Sequence, residues 1–167
     1  MDGPGIHLIS PWAHVASDSR GLVLVAGGRF PEIAVFDSLG TFLQVVGGKG
    51  DGPGEYRGIS HIDAGPRYLQ VFEYNGRRTL LDSSYAPLRV DQLPGVVLSS
   101  WITTADTAIL AADFRSPGSV GDPLHLLSLD GTLSSYGSDS RVVKGPSPTL
   151  VVGGIGDQVW SLNQGTN

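Results

Sequence analysis

The feature that most constrains the fold is a repeat of short apolar segments. Three segments that end on an aspartate lie at residues 33–37, 79–82 and 127–130. The closing residues, Asp37, Asp82 and Asp130, are 45 and 48 residues apart. Each segment follows another strand-like segment, at 22–25, 68–72 and 108–111, and a fourth copy of that segment lies at 158–162. A period of roughly 40–50 residues indicates one supersecondary unit repeated along the chain.

This period is that of a four-stranded β-propeller blade. We therefore predict an all-β fold, a β-propeller of four-stranded antiparallel blades in an incomplete ring, as one domain over residues 1–167. The predicted blades span about 11–48, 56–94, 96–138 and, in part, 148–167. Residues 5–10 are predicted to be the outer strand of a preceding blade, and the third strand of the third blade is predicted over 124–130.

The composition agrees with strands rather than helices. The chain has 24 Gly and 11 Pro, and its acidic residues are 13 Asp against 3 Glu. Asp favours turns and Glu favours helices, and no window has the apolar spacing of a long helix.

Charge and missing residue types exclude several classes of function. A net charge of −5 argues against nucleic acid as a partner, because that affinity depends on clustered Lys and Arg. The absence of Cys excludes disulfides and thiolate sites. No segment has the apolar length of a membrane span, and the first residues do not form a signal peptide. The compartment is not predicted, and an extracytoplasmic location would require an export signal on a longer parent.

Two segments carry a resemblance to a known family. Residues 33–42 read IAVFDSLGTF and residues 47–56 read GGKGDGPGEY. Together they resemble the NHL-type repeat, in which a strand pair leads through a glycine-rich connector to the next blade. Residues 77–82 and Asn75 resemble another strand of that repeat, whereas the third blade departs from it with a longer loop at 114–123. The resemblance implies about three and a half blades of a six-bladed propeller, and it implies a fold rather than an activity.

The glycine-rich segment 47–55 does not fit a phosphate loop, since Lys49 is followed by Gly50 and then by a strand. It also lacks the alternating ligands of a calcium loop. We interpret it as a tight crossover between blades, in which glycines supply positive φ and Glu55 accepts backbone hydrogen bonds.

The candidate metal ligands are His14, His61 and Asp63. His61 and Asp63 share one face of a predicted innermost strand, and His14 has a similar place in the preceding blade. Innermost strands line the channel, so these side chains could meet a metal or substrate there. The alternative is that Asp63 caps a hairpin, as Asp18 would in the first blade, and that both imidazoles are half-buried.

Other recurring residues have a structural interpretation. Trp12, Trp101 and Trp160 could stack on a ring-shaped ligand, but wedging between blades is the commoner use of such side chains. Asp37, Asp82 and Asp130 recur at what is predicted to be one blade position, which indicates turn formation.

Clear repeats without a convergent catalytic set favour a non-catalytic binding scaffold with a protein, peptide or carbohydrate partner and no cofactor. The alternative is a metal-dependent propeller enzyme, a lyase or lactonase-like hydrolase that holds Ca²⁺ or Zn²⁺ in its channel. Since the predicted ring is incomplete, the remaining blades of a parent chain or a second copy of this chain are further expected partners.

Overall fold

The structure is a computed structural model that describes residues 13–27, 30–103, 107–114, 124–136, 149–155 and 158–164. Regular structure in these ranges consists of fourteen β-strands and no helix. It therefore offers no helix with the length and apolarity to cross a bilayer. The predicted outer strand at 5–10 lies outside the described residues.

The strands form three four-stranded antiparallel sheets and one strand pair, each in chain order. Blade 1 consists of β1 Ala13–Ser17, β2 Val23–Gly27, β3 Glu32–Phe36 and β4 Phe42–Gly47. Blade 2 consists of β5 Ile59–Ala64, β6 Leu69–Glu73, β7 Arg77–Leu81 and β8 Pro87–Gln92. Blade 3 consists of β9 Gly95–Ile102, β10 Ala108–Phe114, β11 Leu124–Leu127 and β12 Leu133–Tyr136. The final pair is β13 Thr149–Ile155 and β14 Gln158–Gln164.

The predicted all-β fold with four-stranded antiparallel blades is confirmed. The first strands of successive sheets lie side by side, β1 against β5, β5 against β9 and β9 against β13, so the sheets follow one another in an arc. One correction concerns β11, which ends at Leu127 and not at Asp130. It ends there because residues 128–131 form a turn, in which the N–H of Gly131 donates to the carbonyl of Ser128 at 3.1 Å.

The register of each sheet aligns the blades residue by residue. In each blade, the first paired residue of the second strand lies opposite the last paired residue of the third strand. These equivalent pairs are Val23↔Phe36, Leu69↔Leu81 and Ala108↔Leu127. The next residues, Asp37, Asp82 and Ser128, therefore share one position. Asp130 lies two residues further on, so the prediction that it shares the position of Asp37 and Asp82 is wrong.

All three aspartates nevertheless shape the turn between the third and fourth strands. The Oδ1 of Asp37 accepts the N–H groups of Leu39 and Thr41, at 2.9 and 2.8 Å. Asp82 accepts those of Ser84 and Ala86 in the same way. Asp130 accepts the N–H of Thr132 at 2.9 Å. Turn formation by these residues is confirmed.

The core consists of two clusters, each between neighbouring blades. The first joins Leu24, Ile33 and Val35 of blade 1 to apolar side chains of β5, β6 and β7. The second joins Phe72 and Leu93 to apolar side chains of β9, β10 and β11. Apolar burial thus holds neighbouring sheets face to face.

Candidate functional site: the innermost strands and the connector face

His14 and His61 occupy the same position in successive blades. His14 pairs with Ala26 on β2, and His61 pairs with Phe72 on β6. Each histidine lies three residues before the last paired residue of its strand. Their ring centroids are 5.4 Å apart in an edge-on arrangement. The structure therefore brings together the two histidines that the sequence indicated.

His61 is held by blade 3. The backbone N–H of Ser100 on β9 donates to its Nε2 at 3.1 Å, which requires a free lone pair on that nitrogen and places the ring proton of neutral His61 on Nδ1. Burial, and then the nearby charge of His14, lower the pKa of His61 to about 4. Within the described residues, the buried Nδ1 has no hydrogen-bond partner.

Asp63 also faces blade 3. The hydroxyl of Ser100 donates to its Oδ2 at 2.9 Å, and burial raises the pKa of the Asp63 carboxyl to about 6. The alternative role of Asp63 as a hairpin cap is wrong. Ser17 and Ala64 are the last paired residues of β1 and β5. The residue of blade 2 that is equivalent to Asp18 is therefore Gly65, two residues beyond Asp63.

Asp18 does cap its hairpin as expected. Its Oδ1 accepts the N–H groups of Arg20 and Leu22, at 2.9 and 3.0 Å. These bonds, together with the ion pair that Arg20 forms with Oδ2, lower the pKa of Asp18 despite its partial burial.

Ser100 therefore joins two strands from two blades. One residue of β9 satisfies both His61 and Asp63 of β5, near the innermost edge of the sheets. In the described ranges, no group of three or more His, Asp or Glu side chains is arranged to hold a metal ion. A metal bound by His14, His61 and Asp63 stays a prediction, and so does stacking of a ligand on tryptophan. Trp101 is half-buried on β9, whereas Trp12 and the Trp160 side chain lie outside the described residues.

A second candidate surface lies at the end of the blades where the glycine-rich segment runs. We name the connector face as Phe30, Tyr74 and residues 47–58. Phe30 is 43% exposed and Tyr74 is 54% exposed, each in the turn between the second and third strands of its blade. The N–H of Tyr74 donates to the carbonyl of Gly58 at 3.3 Å, so this turn lies against the connector. Sequence reasoning missed both aromatic residues, although a large aromatic inside a glycine- or proline-containing turn is the signal that could have found them.

The connector itself is tightly held. Gly47 and Gly54 have φ of 84° and 77°, and Oε2 of Glu55 accepts the N–H of Gly52 at 2.9 Å. The crossover interpretation of this segment is thus confirmed. The Arg77 guanidinium adds two bonds to connector carbonyls, at 3.0 Å to Glu55 and 2.5 Å to Gly52.

No family model matches the chain, and neither does any curated protein. Solved structures do match. A protein of Bacteroides fragilis that is provisionally named as exported superposes with a TM-score of 0.77 at 13% identity, over 98% of this chain and 48% of that one. The Staphylococcus aureus virginiamycin B lyase, in a catalytically inactive form with quinupristin, superposes with a TM-score of 0.61 at 10% identity. The match covers 90% of this chain and 47% of the lyase chain. The WD40 domain of Neurospora crassa Pan2 superposes with a TM-score of 0.51 at 16% identity, over 74% of this chain and 38% of the Pan2 chain.

These similarities show the class of fold. The chain forms part of a β-propeller, and it spans about half the length of the first of these structures. Because the similar structures include both a lyase and a WD40 domain, the fold by itself does not assign an activity.

Proposed function

We propose that the chain is part of a six-bladed, NHL-type propeller that acts as a non-catalytic scaffold and binds a protein or peptide on the connector face, with a carbohydrate as the second ligand class. The observation that carries the proposal is the exposure of Phe30 and Tyr74 beside the connector. Aromatic side chains are enriched among the residues that supply most of the energy of protein interfaces. Their faces also stack on sugar rings.

Rigidity of the connector supports this role. Tyr56 is fully buried at its end and anchors it in the core between blades 1 and 2. The two bonds from Arg77 to the carbonyls of Glu55 and Gly52 hold its backbone. A surface that is already ordered loses little conformational entropy when it binds, which favours affinity.

The match of residues 47–56 to the NHL connector supports the family, and with it the six-bladed ring. The sequence of the complete protein tests this part, because a count of blades other than six would contradict it. An extracytoplasmic location of the whole protein is an extension of the proposal that cell fractionation tests.

A metal-dependent enzyme is the alternative, favoured by the 5.4 Å separation of the His14 and His61 rings. Two observations weigh against it. The Nε2 of His61 already accepts the Ser100 N–H, and Asp63 already accepts the Ser100 hydroxyl. A metal would have to use the remaining Nδ1 of His61 with His14 and further ligands. Metal analysis of the purified protein discriminates between the two: one stoichiometric Ca²⁺ or Zn²⁺ that is lost on His61→Ala would overturn the scaffold proposal.

The binding test uses the immobilised chain, a random peptide library displayed on phage and a glycan array. We expect enrichment of a peptide class whose binding falls at least tenfold in Phe30→Ala and Tyr74→Ala. Leu39→Ala is the matched control, because Leu39 is 89% exposed in a turn at the opposite end of blade 1. Equal binding by all three variants would exclude the connector face. Enrichment on the glycan array alone would assign a carbohydrate ligand.

A further inference from the structure

The face of blade 1 that points away from blade 2 has equivalents in blades 2 and 3. We define the blade 1 outer face as four apolar residues, Val15, Val23, Val25 and Phe36. By register, their counterparts in blade 2 are Ile62, Leu69, Val71 and Leu81. Their counterparts in blade 3 are Ser100, Ala108, Leu110 and Leu127.

These counterparts are buried against the preceding blade. All four in blade 2 belong to the cluster shared with blade 1, and Ala108, Leu110 and Leu127 belong to the cluster shared with blade 2. On blade 1 the same positions are exposed or half-buried. The contrast is largest on the innermost strands, where Ile62 is 2% exposed and Val15 is 64% exposed.

The two occupied interfaces differ in chemistry. Toward blade 2, blade 1 presents Leu24, Ile33 and Val46, all buried and apolar. At the equivalent positions toward blade 3, blade 2 presents Gln70, Arg78 and Asp91. The fully buried Arg78 guanidinium donates to Gln70 at 2.7 Å and to Asp91 at 2.9 Å.

Blade 3 meets this polar face with polar groups. The carbonyl of Ser128 lies 3.4 Å from the Arg78 Nη1, and Ser100 satisfies His61 and Asp63. On the blade 1 outer face, the position of Ser100 is held by Val15, which has no side-chain hydrogen-bonding group. A polar blade face docked there would bury polar groups that have no hydrogen-bond partner, which destabilises an interface.

We propose that the blade 1 outer face docks a further four-stranded blade, and that this blade presents aliphatic residues at the positions of Leu24, Ile33 and Val46. The interface would resemble the apolar contact between blades 1 and 2 and not the polar contact between blades 2 and 3. This chain matches 48% of the similar propeller from Bacteroides fragilis, so about half of that propeller lies outside the match. A further blade is therefore the occupant that the matched fold has room for.

The test supplies such a blade within one polypeptide. Residues 1–12 of the full chain are replaced by a second copy of residues 13–58, which brings blade 1 with its own connector. The matched control is the same fusion with Leu24→Gln, Ile33→Arg and Val46→Asp in the added copy, which gives it the polar set of blade 2. We expect the apolar fusion to unfold in one transition with a midpoint raised by at least about 4 °C. We expect the control fusion to show no such rise.

Equal midpoints for the two fusions would overturn the proposal, since the face would then not select an apolar blade. A stable dimer of the original chain that Val15→Asp dissociates, without stabilisation by the apolar fusion, would also overturn it. That result would assign the face to a second copy of the chain.

Discussion

The hydroxyl of Tyr85 donates a hydrogen bond to Oδ2 of Asp18 at 3.0 Å, across 67 residues of sequence. The bond joins the last turn of blade 2 to the first turn of blade 1. Tyr85 has a φ of 67°, in the left-handed region, at the position that Gly40 and Gly131 hold in the other two blades. The Arg20 guanidinium lies over its ring, 4.9 Å from the centroid. A contact between blades thus accompanies a backbone conformation that ordinarily favours glycine.

Tyr85→Phe removes this bond and keeps the ring. We expect the free energy of unfolding to fall by about 1 kcal/mol, the usual contribution of a part-buried hydrogen bond. Urea unfolding measures the change, and Tyr74→Phe is the control because Tyr74 is exposed. Equal losses in the two variants would show that the hydroxyl of Tyr85 does not stabilise the contact.

Arg78→Ile should destabilise the chain by about 3–5 kcal/mol, because Asp91 and Gln70 lose their buried partner. The triple variant Gln70→Leu, Arg78→Ile and Asp91→Val copies the apolar row of blade 1. We expect it to unfold within about 1 kcal/mol of the original chain or above it, since a whole buried ion pair can be exchanged for packed apolar side chains. Denaturant unfolding of both variants tests this, and a triple variant as unstable as the single one would contradict it.

Acid should act on His61 and Asp63 in opposite directions. The folded pKa of His61 is about 4, below its usual value of 6.5, so its contribution to stability is lost as pH falls from 6.5 to 4. The folded pKa of Asp63 is about 6, above its usual 3.8, so its contribution is present at low pH and is lost as pH rises through 6. In the original chain the two effects largely cancel between pH 4 and 6.

Single variants should separate these effects. Asp63→Asn removes the opposing effect of Asp63, so we expect its stability to decrease more steeply than that of the original chain as pH falls from 6 to 4. His61→Gln removes the effect of His61, so its stability should rise relative to that of the original chain as pH falls over the same interval. Urea midpoints at a series of pH values measure both, and parallel profiles for all three proteins would contradict the assignment.

Gly47→Ala should destabilise the chain by on the order of 2 kcal/mol or more. Gly47 has a φ of 84°, and an added Cβ would lie 2.5 Å from the ring of buried Tyr56. Gly48→Ala is the control, because a Cβ on the adjacent glycine meets nothing within 4 Å. Thermal unfolding compares the two, and a loss of the same size in the control would exclude the steric explanation.

The repeat predicted the four-stranded antiparallel blades because period and turn chemistry are local properties of the sequence. It also indicated similar positions for His14 and His61 in successive blades, and in the structure these positions lie side by side. Ser100 could not be predicted as the partner of His61 and Asp63, because that contact depends on the register of β9 against a different sheet. Arg78 was similarly missed as a buried residue. Arg78 and Leu80 are two residues apart on β7 and so share one face of the sheet, which was the available signal. An arginine is rarely fully buried, however.

The blades of this chain are not interchangeable modules. Ser100 stands where the other two blades carry Val15 and Ile62, and it is the residue that accommodates the polar side of blade 2. A recombination event that moved blade 2 in front of blade 1 would bury a histidine, a carboxylate and a guanidinium against aliphatic side chains. The linear order of the blades is therefore fixed by chemistry at their contacts, and a lineage that duplicates one blade must change the matching face of its neighbour as well.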